Sequence, residues 1–191
     1  MFYLKKIDLA RTALVVIDLQ KGIVGTGELQ PCSASAVLEK NNQLAAALKN
    51  TAGLVTLVNV DPTTMQFLNP ERSGGYANLP AAFSEFVMPI ATDSNAKNVI
   101  KVTKHNPGAF FGTDLDLQLR RRDIDTIILT GVATANGVYA TALDAYQHGY
   151  KVIVVEDACA DRDIELHQIF FEKLFTKLGQ VATTKEVLEM I

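Results

Sequence analysis

Five short apolar runs rich in β-branched residues recur along the chain, at residues 13–17, 54–60, 99–103, 126–130 and 152–155. Runs so short and so nearly continuous predict strands buried on both faces, as in a parallel sheet. Residues 180–183 predict a short sixth strand at an edge. Between these runs the apolar positions change to helical spacing. Residues 33–50 predict a helix with Ser33 or Ser35 as N-cap and Gly53 just beyond its end. Residues 113–122 carry Asp114 and Asp116 in the first turn and Arg120, Arg121 and Arg122 in the last, an order that complements the helix dipole. Residues 136–148 place Val138, Ala142 and Ala145 on one face and stop at Gly149, and residues 163–178 are closed by Gly179. Thr183 with Glu186 three residues on reads as a capping box for a final helix.

Strands alternating with helices predict an α/β fold: a doubly wound, mostly parallel sheet of about six strands with helices on both faces and a Rossmann-like topology. One domain over residues 1–191 is expected, without linker or repeat. Residues 61–98 fit this scheme least. They hold four of the six prolines and the Gly74-Gly75 pair, and predict a long excursion with one short helix around 81–87.

Composition narrows the function. At 48% hydrophobic and 20% charged, disorder and low complexity are excluded. Eighteen Lys+Arg against 21 Asp+Glu give a net charge of -3, which leaves no basic excess for a nucleic acid or an anionic membrane. No run approaches the roughly 20 apolar residues of a spanning helix. The first residues lack the apolar core of an export signal. Cys32 and Cys159 cannot build a disulfide framework and fit a reducing compartment, so the expected location is the cytoplasm.

In open parallel sheets, ligands bind beyond the carboxyl ends of the strands. There the sequence puts Asp18, Asp61 and Lys104 after the first three strands, the small-residue turn 131–137 after the fourth, and Glu156 and Asp157 after the fifth. A carboxylate, an ammonium and a turn entering a helix N-terminus would converge on one edge. Free backbone N–H groups in such a turn suit an oxyanion or a bound carboxylate. Taken singly, each has a plainer reading as a turn former, a solvated lysine or a turn glycine. His105, His148 and His167 share no metal-ligand spacing, so no metal or other cofactor is expected.

Together, Asp18-Leu-Gln20, Lys104 ahead of Ala109-Phe-Phe-Gly-Thr-Asp-Leu115, and Gly131-Val-Ala-Thr134 with Ala140-Thr-Ala-Leu-Asp-Ala-Tyr146 resemble the isochorismatase-like superfamily, also called cysteine hydrolases. The resemblance runs from Thr12 to Ala160. It implies Asp18 as the catalytic acid/base, Lys104 as its partner and a cis peptide between Val132 and Ala133. The backbone of Val132, Ala133 and Gly137 would bind substrate or an oxyanion, and Gln20, Ile23, Phe110 and Asp61 would stand around the pocket. In the amidase branch a cysteine in this turn attacks the carbonyl; here that position is Gly137. Isochorismatases also lack that cysteine and cleave a vinyl ether with Asp and Lys. Two departures reshape the pocket: Pro107 replaces the aromatic usual three residues after the lysine, and Ile23 the Phe common five after the aspartate. The nicotinamidase metal needs an Asp and two histidines after the second strand. Asp61 is there, but residues 62–67 contain no histidine.

The sequence thus predicts a hydrolase that acts on a small, anionic molecule by Asp/Lys acid–base catalysis, without a covalent cysteine intermediate. A rival reading is a small-molecule binding protein that lost turnover with its cysteine. A nucleotide-binding domain is disfavoured, because no G-x-G-x-x-G turn follows the first strand. The expected partners are a small-molecule substrate and further copies of the chain, as a dimer or higher homo-oligomer, with neither nucleic acid nor membrane.

Overall fold

The computed structural model of the chain describes residues 5–63 and 79–191. β1 (Thr12–Ile17), β2 (Leu54–Val60), β3 (Val99–Lys104), β4 (Thr126–Val132), β5 (Lys151–Ala160) and β6 (Gln180–Ala182) form one sheet. Their order is β3-β2-β1-β4-β5-β6, and every pairing is parallel. This is the doubly wound α/β architecture that the alternation of elements predicts. The chain starts at the centre, winds to one edge, then returns to wind to the other. The direction of winding reverses between β1 and β4, and the crevice outside that switch point is where such sheets bind ligands.

The helices are α1 (Lys21–Val24), α2 (Ala34–Leu48), α3 (Leu115–Arg120), α4 (Tyr139–Gln147), α5 (Ile164–Ile169), α6 (Thr176–Leu178) and α7 (Thr184–Met190). All six residues of β1 are buried, and their alternation sorts the two halves of the core. Ala13, Val15 and Ile17 pack with Leu115 and Leu119 of α3, Ala142 and Ala145 of α4, and Phe171 and Phe175 of the run that follows α5. Leu14 and Val16 pack with Val37, Leu44, Leu48 and Val187 beneath α2 and α7. Each of the Val, Leu, Ile and Phe side chains among these contributes roughly 1.5–3 kcal/mol relative to exposure. Caps fall where the sequence puts them. Ser33 Oγ accepts from Ala36 N–H at 3.3 Å, and Thr183 and Glu186 form the reciprocal box. The predicted helix 163–178 is a continuous run in which α5 and α6 flank wider π-type turns at Phe170–Phe175.

Two expectations are corrected. β5 does not end at 155 but continues to Ala160, with its register against β4 shifting between Leu129 and Gly131. Glu156 and Asp157 are therefore mid-strand rather than at the carboxyl edge. Asp157 Oδ1 instead accepts the N–H (2.6 Å) and hydroxyl (2.9 Å) of Thr184 at the start of α7. Nor do residues 81–87 form a helix. A turn leads to Phe86, which bridges Gln20 in antiparallel fashion, and a single 3-10 turn follows at Pro89–Thr92. The tie is mostly backbone: Gly22 N–H to Phe83 O at 2.9 Å, Lys21 N–H to Glu85 O at 2.8 Å, and Val87 N–H to Leu19 O at 3.0 Å. The remainder of that excursion, 64–78, lies outside the described residues. Among the described residues no helix is long and apolar enough to cross a membrane.

Candidate active site

At the switch point Gly131 of β4 pairs with Ile17 of β1. Gly131 adopts φ +115°, and a Cβ there would fall 2.1 Å from Ile17 O, so only glycine permits this approach. The next residues on either side of that contact, Asp18 and Val132–Ala133, open onto a pocket of about 380 Å³. Asp18 turns into the left-handed region at φ 53° while its N–H still donates to Val58 O on β2 (2.9 Å). Aspartate is one of the few side chains that tolerates this region.

Lys104 ends β3, two strands away from β1, and its length closes the gap. The residue is only 1% exposed, and Nζ stands 2.8 Å from Asp18 Oδ2. The ammonium also donates to Pro107 O at 2.6 Å, which leaves one of its three protons for a ligand. Asp18 Oδ1 is buried and, among the described residues, has no hydrogen-bond partner. Burial deprives the Asp18 carboxylate of water and pushes its pKa up to about 6, against the pull of the neighbouring ammonium. The Asp18 carboxyl group thus changes its charge near pH 6 with the Lys104 side chain in direct contact.

The peptide between Val132 and Ala133 is cis, as the resemblance implies, and Thr134–Val138 makes one π-helical turn. Two buried groups hold the turn. Asp161 Oδ2 accepts from Ala135 N–H at 2.8 Å, and Thr134 Oγ1 lies 2.8 Å from His167 Nδ1. Gly137 is buried within this turn and faces the pair: a Cβ built there falls 2.8 Å from Lys104 Nζ and 3.2 Å from Asp18 Oδ2.

Asp18, Lys104, Val132, Ala133, Gly137 and Ile23 all line the pocket. Three other residues expected there do not. Gln20 is fully buried and ties the sheet to the following loop: its Oε1 accepts from Val60 N–H (2.7 Å) and its Nε2 donates to Val60 O (3.3 Å) and Phe83 O (3.1 Å). Phe110 belongs to the core, stacked on His148 with centroids 5.2 Å apart. Asp61 lines a smaller adjoining cavity, and its carboxylate accepts the N–H and hydroxyl of Thr63. Those two bonds hold the Asp61 pKa below the usual carboxylate range. Among the described residues no cluster of three or more His, Cys, Asp or Glu could hold a metal ion.

The pocket also contains residues that sequence reasoning missed: Phe83, Asn106, Asn136 and Arg162. Arg162 escaped because β5 was ended too early; it stands just past the strand's real terminus. Its Nη2 donates to Thr26 O (2.7 Å), Thr26 Oγ1 (2.9 Å) and Ile23 O (3.2 Å), which ties it to the opposite wall. Asn136 lies within the 131–137 turn and Asn106 two residues beyond Lys104, so proximity to those motifs was a usable signal. Phe83 offered none. Neither Cys32 nor Cys159 lines the pocket, and burial pushes both thiols up.

The Isochorismatase domain profile matches residues 12–186. An uncharacterized isochorismatase family protein of Bacillus subtilis (strain 168), YwoC, is 40% identical over 191 residues, covering 97% of this chain and 96% of its own. The maleamate amidohydrolase of Pseudomonas putida is 28% identical, covering 95% of this chain and 87% of its own. Among solved structures, an isochorismatase family protein from Burkholderia thailandensis superimposes with a TM-score of 0.82 at 35% identity. That match covers 98% of this chain and 99% of the other.

Proposed function

Because the chain belongs to the isochorismatase family of hydrolases, we propose that it hydrolyses a small anionic molecule by proton transfer from Asp18, with no covalent enzyme intermediate. The observation that carries this reading is the buried Asp18–Lys104 pair at 2.8 Å, set against a residue, Gly137, that has no side chain. A hydrogen cannot form a thioester, and neither cysteine lines the pocket. The relative that acts on maleamate therefore supports the hydrolase class but not an amide mechanism here.

In the proposed reaction protonated Asp18 gives its proton from Oδ1 to the terminal carbon of a vinyl ether. The oxocarbenium ion that forms is attacked by water. The hemiketal then collapses to a carbonyl compound and an alcohol, and the proton released by water returns to Asp18. Net, one water is consumed and one C–O bond is broken. Lys104 holds the carboxylate in place and offers its remaining proton to a substrate oxygen. The Ala133 N–H supplies a second donor. Arg162 gives the pocket a second cation, which favours a substrate carboxylate.

The test is a panel of carboxylated enol ethers, esters and amides offered to the purified protein. Turnover of an enol ether is expected. With Asp18 protonated below about pH 6, kcat/KM should be level in acid and fall tenfold per unit above it. Asp18→Asn should reduce the rate by at least about 100-fold, the low end of what general acid–base catalysis contributes. Amide hydrolysis through a mass-detectable acyl-enzyme would refute the reading. Tight binding without turnover of any panel member would favour the binding-protein alternative.

A further inference from the structure

The helix α5 inverts the usual order of burial. Its Ile164, Leu166 and Ile169 are exposed, and among its residues, all of them described, only His167 is buried, at 1% exposure. A helix that leaves isoleucine in water and buries an imidazole gains less from apolar burial than the reverse arrangement would, so the ring is held for its polar contact. That contact runs between Nδ1 and Thr134 Oγ1 at 2.8 Å, while Nε2 is buried with no hydrogen-bond partner among the described residues. The ring lies against Phe171, with centroids 4.7 Å apart, and the charged group near it is Asp161. Burial holds the His167 pKa below its ordinary value against the pull of that carboxylate, so the neutral ring is favoured. Thr134 is itself fully buried and opens the π-helical turn, whose Asn136 and Gly137 line the pocket with Asp18 and Lys104.

We propose that His167 is a positioning residue for this site: through Thr134 it holds the turn after β4 against Asp18 and so keeps water off the carboxylate. This rests on the reading of Asp18 as the group that carries the proton, but its test needs no turnover. His167 does not line the pocket, so it acts only through the turn. The backbone at 137 faces Asp18 closely, with a built Cβ falling 3.2 Å from Oδ2, and a turn that drifts outward admits water there. The segment Thr134–Val138 carries no charge, and the cations that line the pocket with Asp18, Lys104 and Arg162, come from other elements. Loosening the turn therefore changes the hydration of Asp18 and leaves its charged neighbours in place. With burial relieved, the ionised carboxylate is favoured and the proton leaves at lower pH.

The experiment follows the carboxyl resonance of Asp18 by carbon NMR through a pH titration. The proteins are the wild type, Thr134→Val, His167→Phe, His167→Asn and the double variant of Thr134→Val with His167→Phe. Thr134→Val keeps the branched shape of the side chain and removes the hydroxyl. Its Asp18 midpoint should fall by about half a pH unit or more, from about 6 toward 3.8. His167→Phe should lower the midpoint similarly, and the double variant no further than the larger single change, because both remove one contact. His167→Asn can present its amide to Thr134 from the place of Nδ1, so its midpoint should stay nearer the wild type than that of His167→Phe. An unshifted midpoint in Thr134→Val overturns the proposal. So do additive shifts in the double variant, or an asparagine that does no better than phenylalanine. A histidine that only fills the core would lower the urea midpoint in these variants and leave the Asp18 titration where it is. Should His167→Phe fail to fold, Thr134→Val decides alone. A lowered Asp18 midpoint in a protein that hydrolyses nothing in the panel would leave this inference standing and remove the hydrolytic reading; hydrolysis with an unshifted midpoint would do the reverse.

Discussion

Asp18 holds its proton more tightly in the folded chain than in the unfolded one, with a pKa raised from 3.8 to about 6. The bound proton therefore favours the folded state. That contribution is complete below pH 3.8 and is lost as pH rises through 6, a difference of about 3 kcal/mol at roughly 1.36 kcal/mol per unit. The stability of the wild type minus that of Asp18→Asn should accordingly decline by about that amount between pH 4 and pH 7 in urea titrations. A difference that stays flat would mean that Lys104 fully offsets the burial of the carboxylate. Asp18 and Lys104 were legible in the sequence because each is a charged residue that abruptly ends an apolar run. Gln20 and Phe110 were not. The chain turns at Asp18 through a left-handed φ of 53°, and Gln20, which the resemblance implies at the pocket, meets β2 and residue 83 instead. Phe110 sits in a motif near the lysine, but its ring is taken up by the core beside His148 and Tyr150.

At the scale of elements, the turn after β4 has to be held from outside, because a single π-helical turn of five residues has little rigidity of its own. Asp161 provides one tether, accepting from Ala135 N–H at 2.8 Å and from its neighbour Arg162 N–H at 2.7 Å. Hydrogen bonds to a charged group contribute about 1.5–3 kcal/mol each. Asp161→Ala should thus lower unfolding stability by about 2–4 kcal/mol, and Asp161→Asn, which keeps one acceptor, by less than half of that. Equal losses in the two variants would show that the carboxylate is not what holds the turn. This tether was invisible in the sequence. The acids at 156 and 157 interrupt the apolar run and were read as its end, although β5 continues for three further buried residues, Ala158, Cys159 and Ala160. The strand cores and the caps of α2 and α7 were legible because period and capping chemistry are local. The bulge in β5 is a property of its pairing with β4, so no local pattern could reveal it.

For the whole molecule, the strand order decides what the pocket can be. Its charged floor comes from the ends of β1 and β3, its small-residue turn from the end of β4, its second cation from beyond β5, and its apolar wall from residues 22–26 and 79–83. These segments are far apart in sequence and meet only because the winding reverses at the central strand pair. A carboxylate that fills the pocket should therefore bind only the folded chain and steady all of these segments together. Benzoate is a suitable probe, with a ring for Phe83 and Ile23 and a carboxylate for Lys104 and Arg162. At ten times its dissociation constant it should add about 1.4 kcal/mol, raising the melting temperature by about 3–6 °C for a chain of this length. Hydrogen exchange should slow at 22–26, at 83 and at 133–137 in parallel, while the edge strand β6 is unaffected. In Lys104→Ala the thermal shift should fall by at least half. Protection confined to one segment, or a full shift without Lys104, would mean that the anion binds elsewhere and that these strand ends do not act as one site.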